Sequence, residues 1–441
     1  MALFGTDGIR GVANRDLTAD LALRLGRAAF AVLGGAGRPR LVIGRDTRAS
    51  GEMLEAALGA GFCSAGGDVV RVGVVPTPAV AFLAADMDAD AGVVISASHN
   101  PPEHNGIKFF SGTGMKLPDA VEAEMERLVS ADDGPRPEGP AIGRIEDTLQ
   151  AAERYLAHLA DPAGQTLAGM KLVVDCANGA AFRLAPELLR RLGADVYAIG
   201  DQPDGANINV SCGAMHMSSL TGAVRRLEAD GGVAHDGDAD RALFSDAEGN
   251  VVDGDQVLAA SALAMAKEGT LAGNLVVTTV MANLGFHRAM DVAGIEVART
   301  KVGDRYVLEE MERRGAMLGG EQSGHVIFRD RATTGDGLLT AVRFFSLAAS
   351  QGASVAELAA CMERLPQVLL NVEVDPGGLD EAEPVHEAIG AAETALEARG
   401  RVLVRPSGTE ALVRVMVEAE TEDEAAKHAE AIADAVRATL G

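Results

Sequence analysis

The sequence predicts an α/β protein made of three similar α/β domains with mostly parallel, mixed sheets, followed by a smaller C-terminal α+β domain. Three observations lead there. One segment type occurs three times, an apolar strand, a polar or glycine-bearing turn and a helix, in "RLVIGRDTRASGEMLEAALGAGF", "KLVVDCANGAAFRLAPELLRRLG" and "NLVVTTVMANLGFHRAMDVAG". Strand and helix alternate along most of the chain, an order that yields parallel sheets with helices on both faces. The last part, with "QVLLNVEVD" and "RVLVRPSGTEALVRVMVEA", breaks that alternation with strands that read as antiparallel pairs.

In chain order, Met53, Leu54, Ala57, Leu58, Gly61 and Phe62 recur at helical spacing, and so do Leu184, Leu188, Leu189 and Leu192. At 441 residues the chain exceeds one hydrophobic core, since domains run about 50 to 250 residues. The stretch "SADDGPRPEGPAIG" at 130–143 gathers proline, glycine and charge, so a first domain is expected over 1–150. A turn-rich "DAEGNVVDGD" precedes an alanine-rich helix expected to begin after Asp253, which puts a second domain at 151–252 and a third at 253–365. Residues 366–441 form the fourth.

Composition narrows the function classes. A formal net charge of −25 repels nucleic-acid phosphates and anionic membranes, so neither is an expected partner and any anionic ligand needs local basic groups. Without tryptophan, no ligand stacks on indole. Cys63, Cys176, Cys212 and Cys361 form no CxxC pair, which argues against a disulfide framework or a thiolate zinc site. The N-terminus lacks the basic and apolar regions of a signal peptide, and no apolar run suffices to cross a bilayer. A cytoplasmic protein is expected.

Four stretches carry chemistry. In "GVVISASHNPPEHNGIKFF" a buried strand turns polar at Ser96, and Ser98 sits where ligands bind in open α/β sheets. Ser98 reads as a nucleophile with Lys108 as a nearby cation, or equally as a Ser/Asn turn capping its own backbone. In "HDGDADRALF", Asp236, Asp238 and Asp240 alternate on a segment read as extended, placing three carboxylates on one side, where a cation must offset their repulsion. Such hard oxygen ligands suit magnesium, and Arg241 and Ala247 stand where an EF-hand needs glycine and glutamate; a solvated acidic turn is the bland alternative. In "RPSGTEALVR", Arg405, Ser407, Gly408, Thr409 and Arg414 suit a phosphate clamp, or a hairpin turn with unrelated arginines. In "GGEQSGHVIF", Glu321, Ser323 and His325 could hydrogen-bond sugar hydroxyls, while His325 could equally be a packed histidine with a backbone partner. No GxxxxGK[ST] loop, strand-coupled GxGxxG or HExxH occurs.

These motifs, with "FGTDGIRG", "VGDRYV" and "TTGDG", resemble the α-D-phosphohexomutase family over the whole chain, most closely its branch that isomerises glucosamine phosphates. The resemblance implies four domains around a central cleft and an isomerase, an intramolecular phosphotransferase that interconverts glucosamine 6-phosphate and glucosamine 1-phosphate for amino-sugar nucleotide synthesis. It implies a phosphorylated Ser98, one Mg2+ held by Asp236, Asp238, Asp240 and a phosphate oxygen on Ser98, and a hexosamine bisphosphate as intermediate or activator. Glu321, Ser323 and His325 would take the sugar hydroxyls, and Arg405, Ser407, Gly408 and Thr409 the unreacting phosphate. Arg10 and Lys108 would flank the phosphoserine, Arg241 would lie beside the metal, and Lys108 and His99 are both candidates for the general base. The partner is a small phosphosugar, and the resemblance allows a homodimer. Two positions depart from the pattern: Ala411, where many members have proline, and His104, where aspartate is common. A phosphoglucomutase or phosphomannomutase specificity stays open, as does a non-catalytic sugar-phosphate sensor, against which an intact Ser98 and three aspartates argue.

Overall fold

Runs of valine, isoleucine and leucine that are apolar on both faces can only be satisfied inside a covered sheet. They form the centre of each α/β layer in the computed structural model of the chain, which describes all residues except 1, 2, 6, 34–36, 133, 135, 149, 161–165 and 408–410. Two units are formed: Met1–Val280 with Ile295–Ala360, and Met281–Gly294 with Cys361–Gly441.

The first unit holds three mixed sheets. In the first, β1 (Ile9–Val12), β2 (Arg40–Arg45), β3 (Asp68–Val74), β4 (Ala91–Ile95), β5 (His104–Ser111) and β6 (Ile145–Asp147) take the order β1-β5-β4-β2-β3-β6. Strand β2 pairs in parallel with β3 and β4, whereas β5 runs antiparallel to β4 and β1. The second sheet, β7 (Lys171–Asp175), β8 (Asp195–Ile199), β9 (Gly231–Ala234), β10 (Leu243–Asp246) and β11 (Val251–Val252), has the order β11-β10-β9-β7-β8. The third, β12 (Leu275–Thr279), β13 (Glu296–Thr300), β14 (Leu318–Gly320) and β15 (Val326–Phe328), has the order β13-β12-β14-β15. In both, parallel central strands carry antiparallel pairing on one side.

Leu54, Leu58 and Phe62 are buried on the helix Gly51–Ala65, as their spacing predicts. That helix packs against Ala19–Leu33 so closely that a Cβ at Gly26 would lie 2.1 Å from the Leu58 carbonyl oxygen. The helix expected after Asp253 spans Gly254–Glu268, with the Asp253 side chain accepting from the N–H groups of Asp255 and Gln256 in a capping box. The second unit contains β16 (Gln367–Glu373), β17 (Arg401–Pro406) and β18 (Leu412–Glu418) in the order β16-β18-β17, all antiparallel as expected for the tail. The helices Leu284–Ala293, Glu383–Leu396 and Glu422–Leu440 belong to the same unit.

Candidate active site

Strand β4 is buried along its whole length and delivers Ser96, Ala97 and Ser98 past its carboxyl end, with Ser98 itself 2% exposed. Ser98 adopts φ 49°, a left-handed conformation that costs about 1–3 kcal/mol in a non-glycine residue and persists only where neighbours enforce it. The neighbours are plain. The Ser98 N–H donates to Ser96 Oγ at 3.1 Å, and Ser96 Oγ donates to Asp46 Oδ2 at 2.5 Å. Fully buried Arg48 pairs with Asp46 at 2.9 Å and donates to the carbonyls of Ser98 at 3.0 Å, Asn100 at 2.8 Å, His104 at 3.0 Å and Pro101. Asn209 donates to the Ser98 carbonyl from another loop at 2.9 Å, and a Cβ at Gly237 would stand 2.5 Å from that same oxygen. The loop is therefore fixed by its backbone, which leaves the Ser98 hydroxyl for chemistry.

That hydroxyl donates to Asp236 Oδ2 at 2.6 Å and lies 3.3 Å from His99 Nδ1. Asp236, Asp238 and Asp240 are all buried, and a ligand oxygen from each lies within 4.8 Å of the others. They converge by a different route from the expected one. The segment is a turn between β9 and β10, with Ala239 at φ 57°, and the fold of that turn rather than strand alternation brings the carboxylates together. Burial and the charges of Asp240 and Asp238 push the Asp236 carboxyl well above its ordinary value, whereas burial of Asp240 is outweighed by His325, Lys108 and Arg241, which hold its carboxyl below that value. Among the described residues, the buried Oδ1 atoms of Asp238 and Asp240 have no hydrogen-bond partner. Two orphaned carboxylate oxygens beside a third carboxylate fit a hard divalent cation such as magnesium.

Cations line one side. Lys108 Nζ lies 3.1 Å from Asp238 Oδ2 and 2.8 Å from Asp7 Oδ2; burial pulls its pKa down, but these carboxylates outweigh burial and hold it well above the ordinary lysine value. Lys108 is thus an ammonium here. Burial, with Arg241 and Arg10 nearby, pushes His99 down to about 4, so its imidazole is neutral at pH 7. Arg10, on β1, pairs with Asp7 at 2.5 Å, and Arg241 Nε stands 3.8 Å from Asp240 Oδ1.

The sugar-loop candidates lie between β14 and β15. Glu321 Oε1 accepts from the Gly303 N–H at 3.0 Å, and the buried Ser323 Oγ has no partner among the described residues. His325 is 2% exposed: its Nδ1 faces Asp240 Oδ2 at 3.4 Å and its Nε2 accepts from the Gly335 N–H at 3.0 Å. Burial favours the neutral ring, Asp240 more than offsets it to raise the pKa, and the Gly335 contact keeps a proton off Nε2. Both nitrogens are engaged, and the ring bears on the aspartate trio through Nδ1.

In the second unit, Arg405 on β17 stands directly opposite Arg414 on β18. Burial, then the charge of Arg414, lowers the Arg405 pKa. The Ser407 N–H donates to the Leu412 carbonyl at 2.9 Å. Gly408 and Thr409 lie outside the described residues.

Known proteins carry the same architecture. Four family profiles match in series: phosphoglucomutase/phosphomannomutase alpha/beta/alpha domain I over residues 1–135, domain II over 153–249, domain III over 253–365 and the C-terminal domain over 369–435. A phosphoglucosamine mutase of Moorella thermoacetica is 56% identical over 426 residues, 96% of each chain. The chain belongs to the α-D-phosphohexomutase family. A second relative, the phosphoglucosamine mutase of Frankia alni, is 55% identical across 99% of this phosphohexomutase and 98% of its own length. A solved phosphoglucomutase/phosphomannomutase family protein from Burkholderia thailandensis superposes with a TM-score of 0.84 at 27% identity, covering 99% of this chain and 97% of that one. The Aspergillus fumigatus N-acetylphosphoglucosamine mutase, solved with GlcNAc-6P and magnesium, shares the fold with a TM-score of 0.71 at 20% identity, covering 100% and 96%.

Several residues of this phosphohexomutase site are invisible to motif reading. Asp46 and Arg48 lie in the quoted "GRDTR", read there only as the turn after a strand, although an arginine and aspartate two apart at a strand's carboxyl end are a signal for a buried pair. Thr77 donates to Asp238 Oδ2 at 2.7 Å and Asn209 reaches Ser98 across 111 residues of sequence, pairings that no local spacing reveals. At His104, where the family often has aspartate, Arg48 uses the backbone carbonyl, so the departure leaves that contact in place.

Proposed function

We propose that this phosphohexomutase interconverts glucosamine 6-phosphate and glucosamine 1-phosphate through a phosphoserine at Ser98 and a sugar bisphosphate. One observation carries the reading: Ser98 Oγ, on an enforced backbone, donates at 2.6 Å to a buried carboxylate trio in which the Oδ1 atoms of Asp238 and Asp240 have no hydrogen-bond partner among the described residues. The amino-sugar substrate is supported by relatives named phosphoglucosamine mutase at 56% and 55% identity over nearly the full chain.

Phosphoryl transfer is mostly positioning and charge neutralisation. Magnesium held by Asp236, Asp238 and Asp240, together with a phosphate oxygen on Ser98, would supply neutralisation at the transferring group. Arg10 and Lys108 add fixed positive charge, and Arg241 sits beside Asp240. The Ser98 hydroxyl donates to Asp236, and neutral His99, 3.3 Å from Oγ, is the second acceptor proposed for the serine proton, whereas Lys108 already carries its own. Glu321 and Ser323 are the proposed contacts to sugar hydroxyls, with His325 positioning Asp240. Arg405, Ser407 and Arg414, with Gly408 and Thr409, are the proposed site for the phosphate that does not react. A cytoplasmic setting is supported by Cys63, Cys176 and Cys212, buried cysteines in no disulfide, and among the described residues no helix is long and apolar enough to cross a membrane.

The test compares kcat/KM for glucosamine 6-phosphate, glucose 1-phosphate and mannose 1-phosphate in parallel, with glucosamine 6-phosphate expected to lead. A higher value for either neutral sugar would reject the amino-sugar assignment.

A further inference from the structure

Asp7 is assigned nothing by the chemistry above, yet it is the carboxylate on which the site's cations converge. Its Oδ2 lies 2.5 Å from Arg10 Nη2 and 2.8 Å from Lys108 Nζ, and its Oδ1 lies 2.9 Å from Lys116 Nζ. Lys108 is shared with Asp238, whose neighbour Asp236 accepts the Ser98 hydroxyl. Arg10 Nη1 is 3.5 Å from the Asn100 side chain, two residues beyond Ser98. Lys116 is tied in turn to Asp304 at 2.5 Å, which anchors the far side of Asp7. Burial disfavours charge on Asp7, but Lys108, Lys116 and Arg10 outweigh it and keep the carboxyl well below its usual range, so it is an anion throughout.

We propose that Asp7 is a stand-in anion for the Ser98 phosphate, holding Arg10 and Lys108 while Ser98 is a free hydroxyl and yielding them to the phosphate when Ser98 is phosphorylated. The inference rests on the phosphoserine reading above. In the step concerned, the sugar hydroxyl oxygen bonds to phosphorus and the P–Oγ bond breaks with its electron pair left on Oγ; the hydroxyl proton ends on Ser98. A phosphate of roughly −1.5 to −2 charges thereby leaves the serine. Without a replacement anion, Arg10 would lose its carboxylate and Lys108 would keep only Asp238, and both would oppose each departure. Asp7 levels the two states, and a mutase needs them level because it must give and take back the same group every cycle. Lys116 keeps Asp7 from following the cations it releases.

The measurement equilibrates dephosphorylated enzyme with glucose 1,6-bisphosphate and glucose monophosphate at fixed ratios and saturating magnesium, then reads the phosphorylated fraction at Ser98 by intact-mass spectrometry. Asp7→Asn should raise the ratio of phosphorylated to free enzyme by about tenfold or more, the scale of removing one charge from a partly buried cluster. Its kcat should fall with KM for glucosamine 6-phosphate unchanged, and Asp7→Glu should return the ratio toward wild type. A merely structural carboxylate would not favour one covalent state. Lys116→Met, which removes a cation from the same cluster, should move the ratio the opposite way and serves if the Asp7 variant does not fold. Wild-type enzyme that never carries phosphate at Ser98 would sink the phosphoserine reading and this inference together. Wild type that does, beside an Asp7→Asn ratio unchanged or lowered, or a Lys116→Met ratio unchanged or raised, would sink this inference alone.

Discussion

Ser98 shows how one residue's chemistry is set by what surrounds its backbone. A serine at the end of a buried strand is legible in the sequence, because the apolar run stops abruptly in "ISASH". Its φ of 49° is not, since that comes from Arg48, Asn209 and Gly237, which are distant in the chain. The aspartate trio is likewise legible as a group but not in its geometry: spacing by two suggests a strand face, whereas the residues occupy a turn. At this scale, Asp238→Asn should weaken magnesium binding and lower turnover by a factor on the order of a hundred or more. Thermal stability should fall, because the charge that leaves also pairs with buried Lys108 at 3.1 Å. Calorimetric titration with magnesium and a melting curve check both halves, and full activity of the variant in EDTA would contradict the metal assignment.

The loop from Ser96 to His104 is an element with its own support, a buried ion pair whose arginine serves four carbonyls. Removing one member of such a pair typically costs about 3–5 kcal/mol, because the other charge stays buried and unpaired. Arg48→Met should therefore lower stability by that order in denaturant titration, and Arg48→Lys should not rescue it, since an ammonium cannot reproduce the planar fork. An Arg48→Lys variant with wild-type stability and turnover would show that the loop holds itself. The helix Gly337–Gln351 offers a pH test. Its N-cap Asp336 accepts from the Leu339 N–H at 2.9 Å and from the Tyr155 hydroxyl at 2.8 Å, and burial pushes its pKa up to about 6. A carboxyl whose pKa is raised in the folded state stabilises most below its unfolded value near 4, and that contribution is lost as pH rises through about 6. Comparing denaturant midpoints of wild type and Asp336→Asn across pH 4 to 7, the wild type should lose ground to the variant as pH rises. Parallel profiles would contradict the shift.

For the molecule as a whole, the repeated strand, turn and helix announced the layered α/β architecture, and the broken rhythm of the tail announced the antiparallel sheet of the second unit. Charge was legible too: a chain at −25 needs local cations wherever it is to hold an anion, and Arg405 facing Arg414 is the proposed place in the second unit. The proposed phosphate contact of Arg405 is tested by Arg405→Ala, which should raise KM for glucosamine 6-phosphate by about tenfold, the usual worth of one charge-assisted hydrogen bond, and lower kcat with it. An unchanged KM would remove the phosphate clamp from the account.

The central claim, that the group transferred is carried on Ser98, has a direct measurement. Phosphoenzyme labelled with isotopic phosphate at Ser98, mixed with unlabelled glucosamine 6-phosphate, should pass its label to the sugar within the first turnover, and Ser98→Ala should neither take up label nor turn over even with bisphosphate present. Label that stayed on the protein while glucosamine 1-phosphate accumulated would contradict it.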